Sequence, residues 1–225
     1  MAGNTEITES ATPGATRSMK GPAWAGIAFA PVFVVGFIMA VSTPENDATD
    51  AKWISWYADK SHQVQTIVGA YLLIASALLF LVFAYGMQER VKTGRDGAPV
   101  LYRVFGGTAV LVSGLVMVSA VQLAGIMGNI LFGSQPTPQN ADVLRANIGI
   151  AAIALTTTIT AAVFITCGAI LARRAGVFGS GMFGFSIVAA VLLLFGVTFF
   201  PILALPIWVL VAGIVLLRNS TAPSN

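Results

Sequence analysis

Long apolar runs separated by short polar punctuation dominate the chain, and the one extended polar stretch among them is Thr43 to Gln65, TPENDATDAKWISWYADKSHQVQ. The apolar runs read as bilayer-spanning helices, because about 20 residues rising about 1.5 Å each match a hydrocarbon core of about 30 Å. Four of them fall at about 22–41, 64–87, 104–127 and 148–172. From Phe183 to Leu217 only Ser186 and Thr198 are polar, and one helix over that range would be about 52 Å long, too much for a single crossing. Pro201 and Pro206 supply the break, since proline removes a backbone donor and clashes with the preceding turn. The pattern therefore predicts a fifth span over 183–199 and a sixth over 202–217. The expected fold is all-α: a polytopic transmembrane bundle of six spans in three hairpins, with residues 21–218 as one membrane domain.

The ends and the first run need separate readings. Met1 to Lys20 is rich in Ser, Thr, Gly and Ala and has no apolar face, so residues 1–20 are expected to be a disordered tail, with 219–225 a second short one. The first run could instead be a signal peptide cleaved near Ala40-Val41-Ser42, but it is long for that role and contains Pro31 and Gly36. As a span it should kink at Pro31 or have the lost hydrogen bond absorbed by neighbours.

The polar stretch over 43–63 joins the first two spans and carries its own helix. Asp47 and Asp50 suit a helix start, and a helix is expected over 48–61. On it Trp53, Ile54, Trp56 and Tyr57 fall toward one side and Asp50, Lys52, Asp59 and Lys60 elsewhere. That pattern suits a helix lying in the membrane interface, anchored by Trp53, Trp56 and Tyr57. A short helix packed on its own protein is the alternative.

Composition agrees with the pattern: 56% hydrophobic and 9% charged residues are too few charges for a soluble surface, where roughly 25% is usual. A six-span arrangement puts Arg17, Lys20, Arg90, Lys92, Arg95, Arg103, Arg173, Arg174 and Arg218 on one side and Lys52, Lys60 and Arg145 on the other. The basic side is expected in the cytoplasm of a bacterial plasma membrane, with both termini. Trp24, Tyr85 and Tyr102 would form the inner aromatic girdle, and Trp53, Trp56, Tyr57 and Trp208 the outer one. The single cysteine, Cys167, excludes an internal disulfide and a cysteine metal cluster.

Candidate chemistry is sparse. The six runs contain no Asp, Glu, Lys, Arg or His, which disfavours proton coupling, paired haem ligands and intramembrane hydrolysis, all of which need costly buried ionisable groups. His62 is the only histidine; a metal there would need Asp59, Glu45 or Asp142, and a solvated helix-end imidazole is the simpler reading. No cofactor, metal or catalytic residue is assigned. The remaining polar groups suggest an intramembrane seam of Ser113, Ser119, Gln122, Thr156, Thr158 and Thr160. In an antiparallel pair of third and fourth spans, Ala109 with Thr166, Ser113 with Ala162 and Ser119 with Thr156 share a position sum of 275, so small residues would face each other at one register. Val104-Phe105-Gly106-Gly107 and Val177-Phe178-Gly179-Ser180 hint at an internal repeat.

Residues 23–95 follow the order of apolar span, acidic Pro-containing segment, W-x-x-W-Y-A-D-K, a long span containing Gly-Ala-Tyr-Leu-Leu and a basic loop. This order resembles the DUF4386 group of uncharacterised six-span integral membrane proteins common in actinomycetes. The resemblance implies a membrane location and no activity, cofactor or catalytic residue. Three function classes follow from the residues. The first is a non-enzymatic membrane component or accessory subunit acting through helix and lipid contacts, with membrane lipids, another membrane protein or a second copy as partners and no nucleic acid. The second is a facilitator for a small neutral or apolar solute. The third is a lipid-modifying enzyme at the outer interface.

Overall fold

The computed structural model describes residues 20–45, 47–148, 151–195 and 200–221. The tails expected at 1–20 and 219–225 lie mostly outside them, although Lys20 opens the first helix and Asn219 to Thr221 close the last. Eight α-helices are described: α1 (Lys20–Val41), α2 (Asp50–Ala58), α3 (Lys60–Arg90), α4 (Pro99–Gly133), α5 (Ala141–Ile148), α6 (Ala151–Arg174), α7 (Ser180–Leu194) and α8 (Ala204–Thr221). Two short 3-10 turns, Lys92–Arg95 and Phe200–Leu203, precede α4 and α8. Their starts have local causes. The Thr49 hydroxyl, not a carboxylate of Asp47 or Asp50, caps α2 by accepting from the Lys52 N–H, Pro99 occupies the first turn of α4, and the Asn140 side-chain amide oxygen caps α5.

Among the described residues five helices are long and apolar enough to cross a bilayer, not the expected six. The shortfall is α7. It has 15 residues, about 22 Å of helix, against a core of about 30 Å. It begins at Ser180 and gives way at Leu194, whereas the sequence pattern ran on to 199; residues 196–199 lie outside the described residues. Pro201 sits in the 3-10 turn and Pro206 in the first turn of α8, where a missing N–H costs little. Pro31 is accommodated within α1.

The long helices and α7 form a ring in chain order, α1, α3, α4, α6, α7 and α8, closed where α8 packs on α1. The closest approach is between α1 and α3. A methyl group at Gly69 would lie 2.6 Å from the Ala40 backbone nitrogen, and one at Gly36 would lie 3.0 Å from the Gly69 carbonyl oxygen. Gly36 with Leu73, Ala40 with Gly69, Gly26 with Phe83, and Phe29 with Phe80 all face at a position sum of 109. One antiparallel register therefore holds along the whole pair. Gly213 of α8 seats against the Ala23 carbonyl in the same way.

Rings fill the middle of this arrangement. Phe80 packs on Phe164 at 5.0 Å, Phe105 stacks on Phe164 at 4.7 Å, and Trp208 meets Phe164 at 5.8 Å and Phe83 at 6.3 Å. Trp208 was expected in the outer aromatic girdle. It is instead 0% exposed, with its indole N–H donating to the Ser186 hydroxyl at 2.8 Å, because a buried indole is tolerated only where its N–H finds an acceptor. Phe178, from the second copy of the suspected repeat, packs on Trp208.

The two ends of the bundle differ in charge. Pro22 lies against Gly86, the Gly94 turn against Leu171, and the Asn219 amide against the Val177 carbonyl. These contacts gather the starts of α1, α4 and α7 with the ends of α3, α6 and α8, and with them Lys20, Arg90, Lys92, Arg95, Arg103, Arg173, Arg174 and Arg218. Exposed Trp24 and Tyr85 flank this basic end. Glu45, Asp47, Asp50, Asp59 and Asp142 lie at the opposite end. Gly69→Ala is expected to cost about 2 kcal/mol or more, since backbone blocks the added methyl. Gly107→Ala, where nothing lies within 4 Å, should be neutral or slightly stabilising. Thermal unfolding of the two variants in detergent checks the contrast.

Candidate functional site

The acidic end is closed by a cap in which the α1–α3 connection meets the α4–α6 connection. Trp53 and Tyr57, one turn apart on α2, point into a cluster with Ile67, Met127, Ala141 and Leu144. Burial there leaves them 2% and 1% exposed. The two rings expected to anchor in lipid are thus packed inside protein, and Trp56 alone of the three keeps partial exposure. The Tyr57 hydroxyl donates to the buried Leu144 carbonyl at 3.1 Å, and the buried Gln63 amide donates to the Tyr57 carbonyl at 2.8 Å. Together these bonds tie α2 to α5 and to the start of α3.

Arg145 is the second tie. Its guanidinium donates to the Asp50 carboxylate at 2.8 Å, to the Ala48 carbonyl at 3.0 Å and to Asp142 at 3.3 Å. It also stands 5.7 Å from the centre of the Trp53 ring. Asp50 and Asp142 are well exposed, so the ion pairs alone are worth little. The fork that reaches a carboxylate, a carbonyl and an aromatic face at once is what a lysine could not reproduce. Sequence reasoning missed Arg145 and Leu144 as cap residues, counting Arg145 only among the basic residues of one side and leaving the segment between the third and fourth runs without an assigned helix. The signal was there: Asn140 as a capping side chain, followed by Asp142 and Arg145 at i,i+3 spacing.

At the corner between α2 and α3, His62 stacks on Trp56 at 4.9 Å. Among the described residues no group of three or more His, Cys, Asp or Glu side chains comes together. Asp59 caps α3, accepting from the Ser61 hydroxyl and the Ser61 N–H, each at 2.7 Å. Those two bonds, the hydroxyl's first, hold its carboxyl below the ordinary value of 3.8.

No family model, curated protein or solved structure matches this chain. The reading of the site rests on its own geometry.

The structure does not bring the six residues of the suspected polar seam together. Ser113 is buried and donates to the Ala77 carbonyl of α3 at 3.2 Å, away from α6. Ser119, Thr158 and Thr160 turn back on their own helices, bonding the Leu115, Leu155 and Thr156 carbonyls. Such back-bonding satisfies a hydroxyl in an apolar medium without any partner helix. Thr156 is engaged through its own contacts, and Gln122 is exposed on the outward side of α4. Between α4 and α6 the Phe105 ring packs against Gly168.

Tyr57→Phe should lower stability by about 1–2 kcal/mol, because the buried Leu144 carbonyl loses its donor. Trp53→Phe should cost less, since the Trp53 indole N–H has no hydrogen-bond partner among the described residues; chemical unfolding of both variants measures the order. The Asp59 cap contributes stability above its lowered folded pKa and loses it as pH falls through that value. Protection of the Ser61 and His62 amides, measured relative to the intrinsic exchange rate at each pH, should therefore fall below pH 3.8, and Asp59→Ala should show the reduced protection at neutral pH as well.

Proposed function

We propose that this chain is a non-enzymatic integral membrane component that acts through its contacts with lipid and neighbouring helices. The observation that carries this reading is the aromatic filling of the helix ring. A facilitator needs a hydrated or polar-lined route, yet Phe80, Phe105, Phe164 and Trp208 occupy the place where a route between the helices would run. Six hydroxyls that could line one, those of Ser76, Ser113, Thr158, Thr160, Thr166 and Ser186, are bonded to backbone carbonyls. An outer-interface enzyme would need several reactive side chains in reach of each other, and among the described residues no group of three or more His, Cys, Asp or Glu comes together around His62.

The charge separation supports a placement in a bacterial plasma membrane with the basic end in the cytoplasm. The start of α1 and the end of α8 share that end, so both termini are assigned there. The resemblance of residues 23–95 to the six-span group is in keeping with this location.

Reconstituted liposomes test the reading. Swelling rates in glycerol and urea are expected to equal those of protein-free liposomes; a clear acceleration would overturn it in favour of the facilitator. In a Cys167→Ala background, a cysteine at Thr158 should resist small hydrophilic thiol reagents. One at the exposed Thr93 should react only after the cytoplasmic face is opened, and reaction from outside would reverse the assigned orientation.

A further inference from the structure

Beneath the cap, α3 and α4 separate into a groove that opens sideways, of about 290 Å³, lined by Ile67, Tyr71 and Ile74 on one side and Gly125, Gly128 and Asn129 on the other. Its depth comes from the two glycines, for which an added methyl would meet nothing within 4 Å. This contrasts with Gly36 and Gly69, whose missing side chains let helices touch. The size sits at the lower end of the roughly 300–1,000 Å³ of ligand sites, and the walls belong to spans that face hydrocarbon.

Three polar groups mark the groove from its base to its mouth. Tyr71 is 69% exposed, about 16 Å along α3 from its start, at a depth where a phenol has no water to bond. Helical side chains lean toward the helix N-terminus, which for α3 is the acidic end, so this ring leans toward the headgroups. Asn129 is exposed nearer that end. Lys60 shares the groove-lining face of α3, at seven-residue spacing above Ile67 and Ile74; it is exposed and belongs to none of the ion pairs of the described residues. An apolar slot with Tyr71 and Asn129 in its walls, and Lys60 two turns above Ile67 on the same face of α3, complement an anionic glycerophospholipid, with chain, ester linkage and phosphate in that order.

We infer that this groove holds one acyl chain of an anionic phospholipid from the leaflet at the acidic end, with its phosphate facing Lys60. The inference rests on the contact-based reading above and names the lipid that reading requires.

The test uses the full chain in nanodiscs of three parts phosphatidylcholine to one part phosphatidylglycerol, with a trace of phosphatidylglycerol carrying a diazirine in one chain. Photolabelling is expected to concentrate on peptides spanning 67–74 and 121–129. Gly125→Leu fills the slot and should reduce that labelling by about threefold or more with unfolding temperature unchanged, and Gly128→Leu repeats the test at a second open position. Lys60→Gln should abolish the excess of phosphatidylglycerol labelling over that by a phosphatidylcholine probe. Labelling spread evenly over all outward helices, or unmoved by both leucine variants, would overturn the site. A Gly125→Cys protein that forms a disulfide dimer, with little groove labelling in the parent chain, would assign the face to a second copy. Accelerated solute flux would overturn the contact-based function while leaving groove labelling intact, so the two failures are separable.

Discussion

Backbone contact between α1 and α3 is the constraint on which the rest of this structure depends. In hydrocarbon, helices gain little from burying apolar side chains, because lipid tails are as apolar as the residues they replace. Association must come from close van der Waals approach, and glycine permits it. At Gly36, Ala40 and Gly69 the two backbones touch, which fixes one register along both helices and sets Phe29 against Phe80 and Gly26 under the Phe83 ring. Gly213 lets α8 approach α1, and only with both contacts made does Trp208 reach Phe83 and Phe164. Closure of the ring and filling of its centre are thus consequences of small residues at its edge.

The cap follows a different physical rule. Outside the hydrocarbon, water again rewards burial of rings, and the two connections at the acidic end are long enough to fold over one another. Trp53 and Tyr57 turn inward onto Met127 and Leu144, while polar ties from Tyr57, Gln63 and Arg145 satisfy the carbonyls and charges drawn in with them. With the cap fixed over the ends of α3 and α4, the glycines just below it leave the lateral groove. Membrane-embedded packing and water-driven packing therefore meet at that depth.

The sequence by itself determined the class, the positions of the first four apolar helices and the separation of charge. These depend on what each residue contributes along the chain: hydropathy per residue, helix rise per residue and the cost of a charge in lipid. The short polar helix α2 was legible for the same reason, although its cap proved to be Thr49. Only the tertiary structure decided which side chains face one another. It placed Trp208 in the centre, because Ser186 supplies its acceptor. It sent Ser113 to Ala77 of α3, and it turned Trp53 and Tyr57 toward α5 through a segment whose helical nature the polar composition hid. It also ended α7 at Leu194, short of a full crossing, where an unbroken apolar run gave no stop signal. An indole, a hydroxyl or a glycine reads alike in a chain whether it meets lipid or protein. The neighbour that distinguishes them is supplied by helix register, which is fixed by the shapes of two surfaces at once.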